Sequence, residues 1–178
     1  MTDWPCRIAV IGATGSGKTC LAKALALRLG VPHVELDALY WAAGWQPVQP
    51  EVFRARVAKA LTGAGWVTDG NYRRVRDLVW GQATALVWLD YPLPVVLWRL
   101  ARRTFGRVLA GTELYNGNRE SLRMTLLSRD SIFLWALRSR PSQRREYPAL
   151  LASPEYTHLS VFHLRSPHEA DRWLSTLK

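Results

Sequence analysis

A chain of 178 residues with 48% hydrophobic content is long enough for one domain with a sizeable core and short for two, so a single domain over 1–178 is expected. Met1 to Cys6 is short and polar, and the apolar stretch Ala83 to Leu97 is broken by Asp90, Pro92 and Pro94, which argues against a secretory signal or a membrane span and for a cytoplasmic protein. The formal charge is +10, and eleven arginines between Arg99 and Arg145 stand against Glu113, Glu120 and Asp130, a net +8 that implies a polyanionic partner, either nucleotide phosphates or nucleic acid.

Arg7 to Ile11 reads as a short apolar strand, buried on both faces. It runs into Gly12-Ala13-Thr14-Gly15-Ser16-Gly17-Lys18-Thr19, the phosphate-loop pattern GxxxxGK[ST]. Glycines in such a loop let successive backbone N–H groups face an anion without a Cβ in the way. The helix expected from Lys18 to Leu29, stopped by Gly30, points its unsatisfied N–H groups at the same phosphates. Lys18 adds a charge and the Thr19 hydroxyl can hold Mg²⁺, so ATP and Mg²⁺ are the implied cofactors.

His33 to Leu36 reads as the second strand, with Asp37 at its carboxyl end, where ligands gather in open parallel sheets. The aromatic segment Ala38 to Trp45 suits the wall of an acceptor pocket or packing against the next helix, which Pro50 announces and Gly63 stops. A third strand, Gly65 to Thr68, leads into Asp69-Gly70-Asn71-Tyr72-Arg73, and a fourth, Ala83 to Leu89, ends at Asp90, read as structural. From Pro94 a helix carries Arg99, Arg102, Arg103 and Arg107 on one side. Like charges at that spacing repel unless an anion receives them. A short arginine-rich lid is expected over about 104–120, with Ala110 to Asn118 as its mobile part. One or two helices follow over Arg119 to Leu137, breaking near Ser128 to Ser131. Next come a basic helical stretch from Pro141 to Leu151 interrupted at Pro148, and a fifth strand from Thr157 to Leu164. Ser166, Pro167 and Glu169 spell a capping box for the last helix. Cys6 and Cys20 lack metal-ligand spacing and read as buried thiols, and the four histidines form no metal cluster.

With these residues in place, the chain resembles the nucleoside-monophosphate kinase and shikimate kinase group of phosphate-loop proteins. Adenylate kinases carry Asp-Gly-Phe-Pro-Arg after the third strand, where this chain has Asp69-Gly70-Asn71-Tyr72-Arg73. They follow the fourth strand with Asp-Val-Pro and two arginines four residues apart, matched here by Asp90-Tyr91-Pro92, Arg99 and Arg103. Asp37 is similar to the aspartate near the acceptor hydroxyl in shikimate, gluconate and uridine kinases. The Leu36-Asp37-x-Leu39-Tyr40-Trp41 and Asp69-Gly70-Asn71-Tyr72 signatures are similar to small bacterial proteins that carry the names adenylate kinase and DNA topology-modulation protein.

The resemblance implies a three-layer α/β/α P-loop NTPase fold with a five-stranded parallel sheet in the order 2-3-1-4-5. It also implies Arg99 and Arg103 on the ATP phosphates, and Arg165 to Pro167 beside the adenine. The reading is an ATP-dependent phosphotransferase acting on a small acceptor. Lys18, Arg99 and Arg103 neutralise charge, Thr19 holds the metal, Asp69 holds it through water, Asp37 orients or deprotonates the acceptor, and Arg73 anchors an anionic one. Two alternatives stay open: Asp37 and Asp69 could cap the helices that follow, and Arg73 could be a surface residue. A nucleic-acid-associated ATPase or DNA topology modulator is the other function class.

Overall fold

A computed structural model describes residues 6–118 and 132–177. The expected helix start at Arg119 and the break near Ser128 to Ser131 lie outside those residues. Five parallel strands form the main sheet: β1 (Arg7–Gly12), β2 (His33–Glu35), β5 (Trp66–Asp69), β6 (Ala85–Leu89) and β7 (Ser160–Leu164), side by side as β2-β5-β1-β6-β7. Counted along the chain without the small hairpin β3 (Trp41–Ala42) and β4 (Gln46–Pro47), that order is 2-3-1-4-5.

β1 is central because its side chains are apolar on both faces, and Ile8, Ala9, Val10 and Ile11 are all at most 1% exposed. Alternation along the strand divides the core into two. Ile8 and Val10 pack with Leu21, Ala22, Leu25 and Ala26 of α1 (Lys18–Leu29), Val96 and Leu100 of α5 (Leu93–Leu109), and Ala170 of α7 (Pro167–Thr176). Ala9 and Ile11 face the other way, onto Phe53 and Val57 of α3 (Pro50–Ala60), Val79 and Trp80 of α4 (Arg76–Gln82), and Tyr147 of α6 (Ile132–Leu151). The result is a three-layer α/β/α fold. No described helix is long and apolar enough to cross a membrane.

Several boundaries differ from the sequence expectation. The second strand ends at Glu35, and Leu36–Tyr40 forms a short helix, α2, which places Asp37 in a first helical turn. The fifth strand begins only at Ser160, because Pro154–Tyr156 makes a 3-10 turn and the Thr157 hydroxyl bonds back to Pro154 O. The interruption expected at Pro148 is absent: α6 runs through both Pro141 and Pro148. An interior proline costs a helix about 3 kcal/mol, and contacts at successive turns hold this one. Arg140 Nε donates to Tyr91 O at 2.9 Å, Arg144 Nε donates to both oxygens of Asp90 at 2.7 and 2.9 Å, and Tyr147 packs edge-on against Trp80 and Trp88. Asp90, 7% exposed and also bonded to His163, is thereby structural, as its sequence position suggested. Cys6 and Cys20 are exposed, not buried: Cys6 precedes the first strand and Cys20 sits on the outward side of α1.

Candidate active site

The strand register brings the carboxyl ends of the sheet to one edge, with Val10 opposite Asp69, Glu35 opposite Asp69, and Gly12 opposite Leu89. The phosphate loop closes between β1 and α1 at that edge. Gly12, Gly15 and Gly17 have φ of 144°, 86° and 97°, conformations that favour glycine. Space imposes the same residue. A Cβ on Gly12 would run into Leu89 O, and one on Gly15 would come within 2.8 Å of Val96 O and 2.9 Å of Leu100 Cβ. Helix α5 therefore packs directly on the loop. Its Arg99 donates from Nη1 to Ser16 O at 3.0 Å and lies beside Gly17, and Arg103 stands close enough to disfavour the Lys18 ammonium.

Lys18 Nζ reaches back across the loop to Ala13 O at 3.1 Å. Burial lowers its pKa, Asp69 and Asp37 pull it back up, and Arg103 lowers it. Both sequence-selected carboxylates thus share the Lys18 field. Thr19 Oγ1 donates to Asp69 Oδ2 at 2.6 Å, and His33 Nε2 meets Asp69 Oδ1 at 2.7 Å. Neither aspartate caps a helix: the residue before α2 is Glu35, that before the 3-10 turn at Arg73 is Tyr72, and no side chain bonds a helix start in either place. Asp37 instead accepts from the Tyr72 hydroxyl at 2.5 Å. Tyr72 packs among Tyr40 and Phe53, and burial first, then Asp37, pushes its phenol far above the ordinary range.

Other predicted residues stand further out. Arg73, with a side chain 67% exposed, pairs with Glu146 of α6, which also accepts from Ser142 Oγ. Arg165 follows β7 at the same edge of the sheet, its backbone N donating to Glu169 Oε2 at 2.6 Å. The Ser166 hydroxyl accepts from Glu169 N at 3.1 Å, so Ser166 caps the helix as expected and Pro167 opens α7, while the Glu169 carboxylate reaches one residue beyond the cap, to Arg165 N. Arg140 and Arg144 are engaged by Asp90, so part of the basic region is neutralised internally.

Sequence reasoning missed several participants. Asn71 clasps Gly12 with both ends of its amide, accepting from Gly12 N at 3.1 Å and donating to Gly12 O at 2.5 Å. Its position in place of the adenylate kinase Phe-Pro was the available signal. The segment after α5 is also tied down: Tyr115 donates to Glu35 at 2.5 Å, and Asn116 Nδ2 donates to Trp41 O at 2.5 Å. Asn118, 4% exposed, accepts from Trp45 N at 2.8 Å while donating to Ala42 O and Tyr115 O. The positive-φ non-glycine residues among those described, Trp45 and Asn116, belong to the two segments that meet here. Burial, with the Glu35 hydrogen bond and the charges of Asp37, Glu35 and Asp69, raises the Tyr115 phenol well above its ordinary value.

Comparison with known proteins points one way. No family model matches the chain. A 36-residue stretch is 53% identical to the cytidylate kinase of Thermosipho africanus (strain TCF52B), covering 20% of this chain and 16% of that protein. Among solved structures, shikimate kinase from Bacteroides thetaiotaomicron superimposes with a TM-score of 0.56 at 16% identity, over 98% of this chain and 97% of that one. A gluconokinase from Sinorhizobium meliloti 1021 gives 0.54 at 20% identity, over 99% and 95%. Shikimate kinase from Acinetobacter baumannii in complex with shikimate gives 0.54 at 17% identity, over 98% and 90%. Over nearly its whole length the chain thus has the α/β fold of these shikimate kinases and this gluconokinase.

Proposed function

We propose that this protein is a cytoplasmic kinase that transfers the γ-phosphoryl group of ATP to a hydroxyl of a small acceptor. The observation that carries the reading is the convergence of Lys18, Thr19, Asp69 and Asp37 at one sheet edge, with the Thr19 hydroxyl 2.6 Å from Asp69 Oδ2. The residues fit the cofactors. Three positive-φ glycines present no Cβ to an anion at their positions, and the buried Ser16 hydroxyl has no hydrogen-bond partner among the described residues. The Thr19 hydroxyl offers a hard oxygen ligand of the kind Mg²⁺ takes, and Asp69 would hold the ion through water. Bound ATP supplies the phosphoryl group, and Mg²⁺ offsets the charge on its oxygens.

This chain's own residues position and neutralise. Lys18, Arg99 and Arg103 set positive charge around the loop. Asp37, held by Tyr72, accepts the acceptor hydroxyl proton. Arg73 anchors an anionic acceptor by exchanging Glu146 for it, and Arg165 and Pro167 flank the adenine. The test is an ATP-dependent phosphorylation screen over nucleoside monophosphates, sugars and hydroxy acids, read as ADP release. At least one acceptor should stimulate turnover, and Asp37→Asn should cut the stimulated kcat by roughly 10²–10⁴-fold, the range for a positioned base. Slow hydrolysis that no acceptor accelerates would overturn the assignment.

The net +8 between Arg99 and Arg145 supports a second reading, a nucleic-acid-associated ATPase or DNA topology modulator. Affinity for DNA that collapses by about 10³-fold or more between 50 and 200 mM salt, with ATPase stimulated by DNA, would favour it over the kinase.

A further inference from the structure

We infer that His33 is a positioning residue for the cation side of the phosphate loop, acting through Asp69 on Thr19. The inference rests on the proposed role of Thr19 and Asp69 in holding Mg²⁺. Asp69 closes strand β5 and is 4% exposed, with protein partners on its carboxylate. Each oxygen has one: His33 Nε2 lies 2.7 Å from Oδ1, and Thr19 Oγ1 lies 2.6 Å from Oδ2.

The chemistry of these groups fixes their protons. An ionised carboxylate only accepts, so His33 Nε2 carries a hydrogen and donates, and the single hydroxyl proton of Thr19 goes to Oδ2. With its proton spent on Asp69, Thr19 Oγ1 keeps its lone pairs for a cation. The direction of those lone pairs follows the plane of the Asp69 carboxylate. Rotation about the last carboxylate torsion is soft, and one bond to a hydroxyl that itself rotates does not fix it. The imidazole does.

Its placement is built by the sheet. His33 opens β2, and its register partner Val67 lies two residues before Asp69 on β5, so the alternation of the strand puts both side chains on one face. The His33 side chain is 14% exposed, which keeps water from replacing it. Groups that orient a metal-holding carboxylate carry about 10–100-fold in metal affinity.

The experiment is calorimetric titration of the full chain with ADP, once with Mg²⁺ and once with EDTA, on His33→Gln, His33→Asn and His33→Phe. Glutamine carries an N–H at the reach of Nε2, whereas asparagine carries one only at the reach of Nδ1 and phenylalanine carries none. His33→Asn and His33→Phe should bind ADP with Mg²⁺ about 10–100-fold more weakly than wild type while changing less than about twofold in EDTA, and His33→Gln should stay within about threefold in both. If His33→Phe does not fold, the contrast between glutamine and asparagine decides. Equal losses with and without Mg²⁺, or wild-type affinity in the asparagine variant, would sink the inference. Asp69→Asn separates it from the reading beneath: if that variant keeps full Mg²⁺ enhancement, the metal role of Asp69 fails. If it loses the enhancement and His33→Asn does not, only the role of His33 fails.

Discussion

Lys18 lies in the phosphate loop, where removal from water disfavours its ammonium more than Asp69 and Asp37 favour it. With its pKa lowered in the folded state, the folded chain holds that proton less tightly than the unfolded chain. Stability therefore rises with pH across the interval from the lowered pKa to the ordinary value of 10.5, and at neutral pH the charge opposes folding. Lys18→Met should accordingly raise the melting temperature of the nucleotide-free protein, by about 2–4 °C for each kcal/mol recovered, while abolishing ADP binding. A lower melting temperature would show that Lys18 steadies the empty loop. Tyr72 makes the complementary case. Its hydroxyl holds Asp37, and a hydrogen bond to a charged group is worth about 1.5–3 kcal/mol. Tyr72→Phe should lower kcat/KM for the acceptor about tenfold or more and leave KM for ATP unchanged, as steady-state kinetics would show. Equal effects on both substrates would mean that the phenol serves packing alone.

At the scale of elements, the segment after α5, where the sequence suggested a lid, carries specific contacts to the acidic end of β2 and to the small hairpin. Residues 115–118 are fastened to the hairpin of β3 and β4 by Asn116 and Asn118, and Tyr115 reaches Glu35 at the end of β2. Asn118 is buried and uses both ends of its amide, so removing it strands Trp45 N and Ala42 O, each at a cost of about 1–3 kcal/mol if it stays dry. Asn118→Ala should lower the melting temperature by several degrees and shift tryptophan emission through Trp45, with ADP affinity little changed. An unaltered emission spectrum would place the anchoring elsewhere. Helix α6 teaches the same lesson from its prolines. Local propensity argues for a break, and Asp90, Tyr91 and the Trp80–Trp88 pair override it.

Across the whole molecule, the sheet separates two apolar layers, and Tyr147 sits in the one opposite the phosphate loop's helix, 3% exposed between Trp80 and Trp88. Burial pushes its phenol up to about 12, and Tyr91 likewise to about 12. A phenol whose folded pKa is raised contributes stability that is complete below about 10 and lost as pH climbs from there through 12. Tyr147→Phe should flatten part of the alkaline limb of the stability curve, measured by denaturant melts between pH 8 and 12, and leave the neutral plateau within about 1 kcal/mol. An alkaline limb as steep as that of wild type would assign the loss to other raised phenols, such as Tyr72, Tyr91 and Tyr115.

By itself the sequence determined whatever rests on neighbours along the chain. The phosphate loop, the apolar strands, the acidic residues at strand ends and the helix cap at Ser166 each follow from spacings of a few residues and from backbone preferences, and a short stretch suffices to state them. Tertiary structure alone decided which partner each of those residues meets. Tyr72 and Asp37 are 35 residues apart, His33 and Asp69 are 36, Asn71 and Gly12 are 59, and Tyr115 and Glu35 are 80. Such pairs exist only because parallel strands joined by crossover helices bring their carboxyl ends to one edge of the sheet, and no local periodicity encodes which side chains then come within hydrogen-bonding distance.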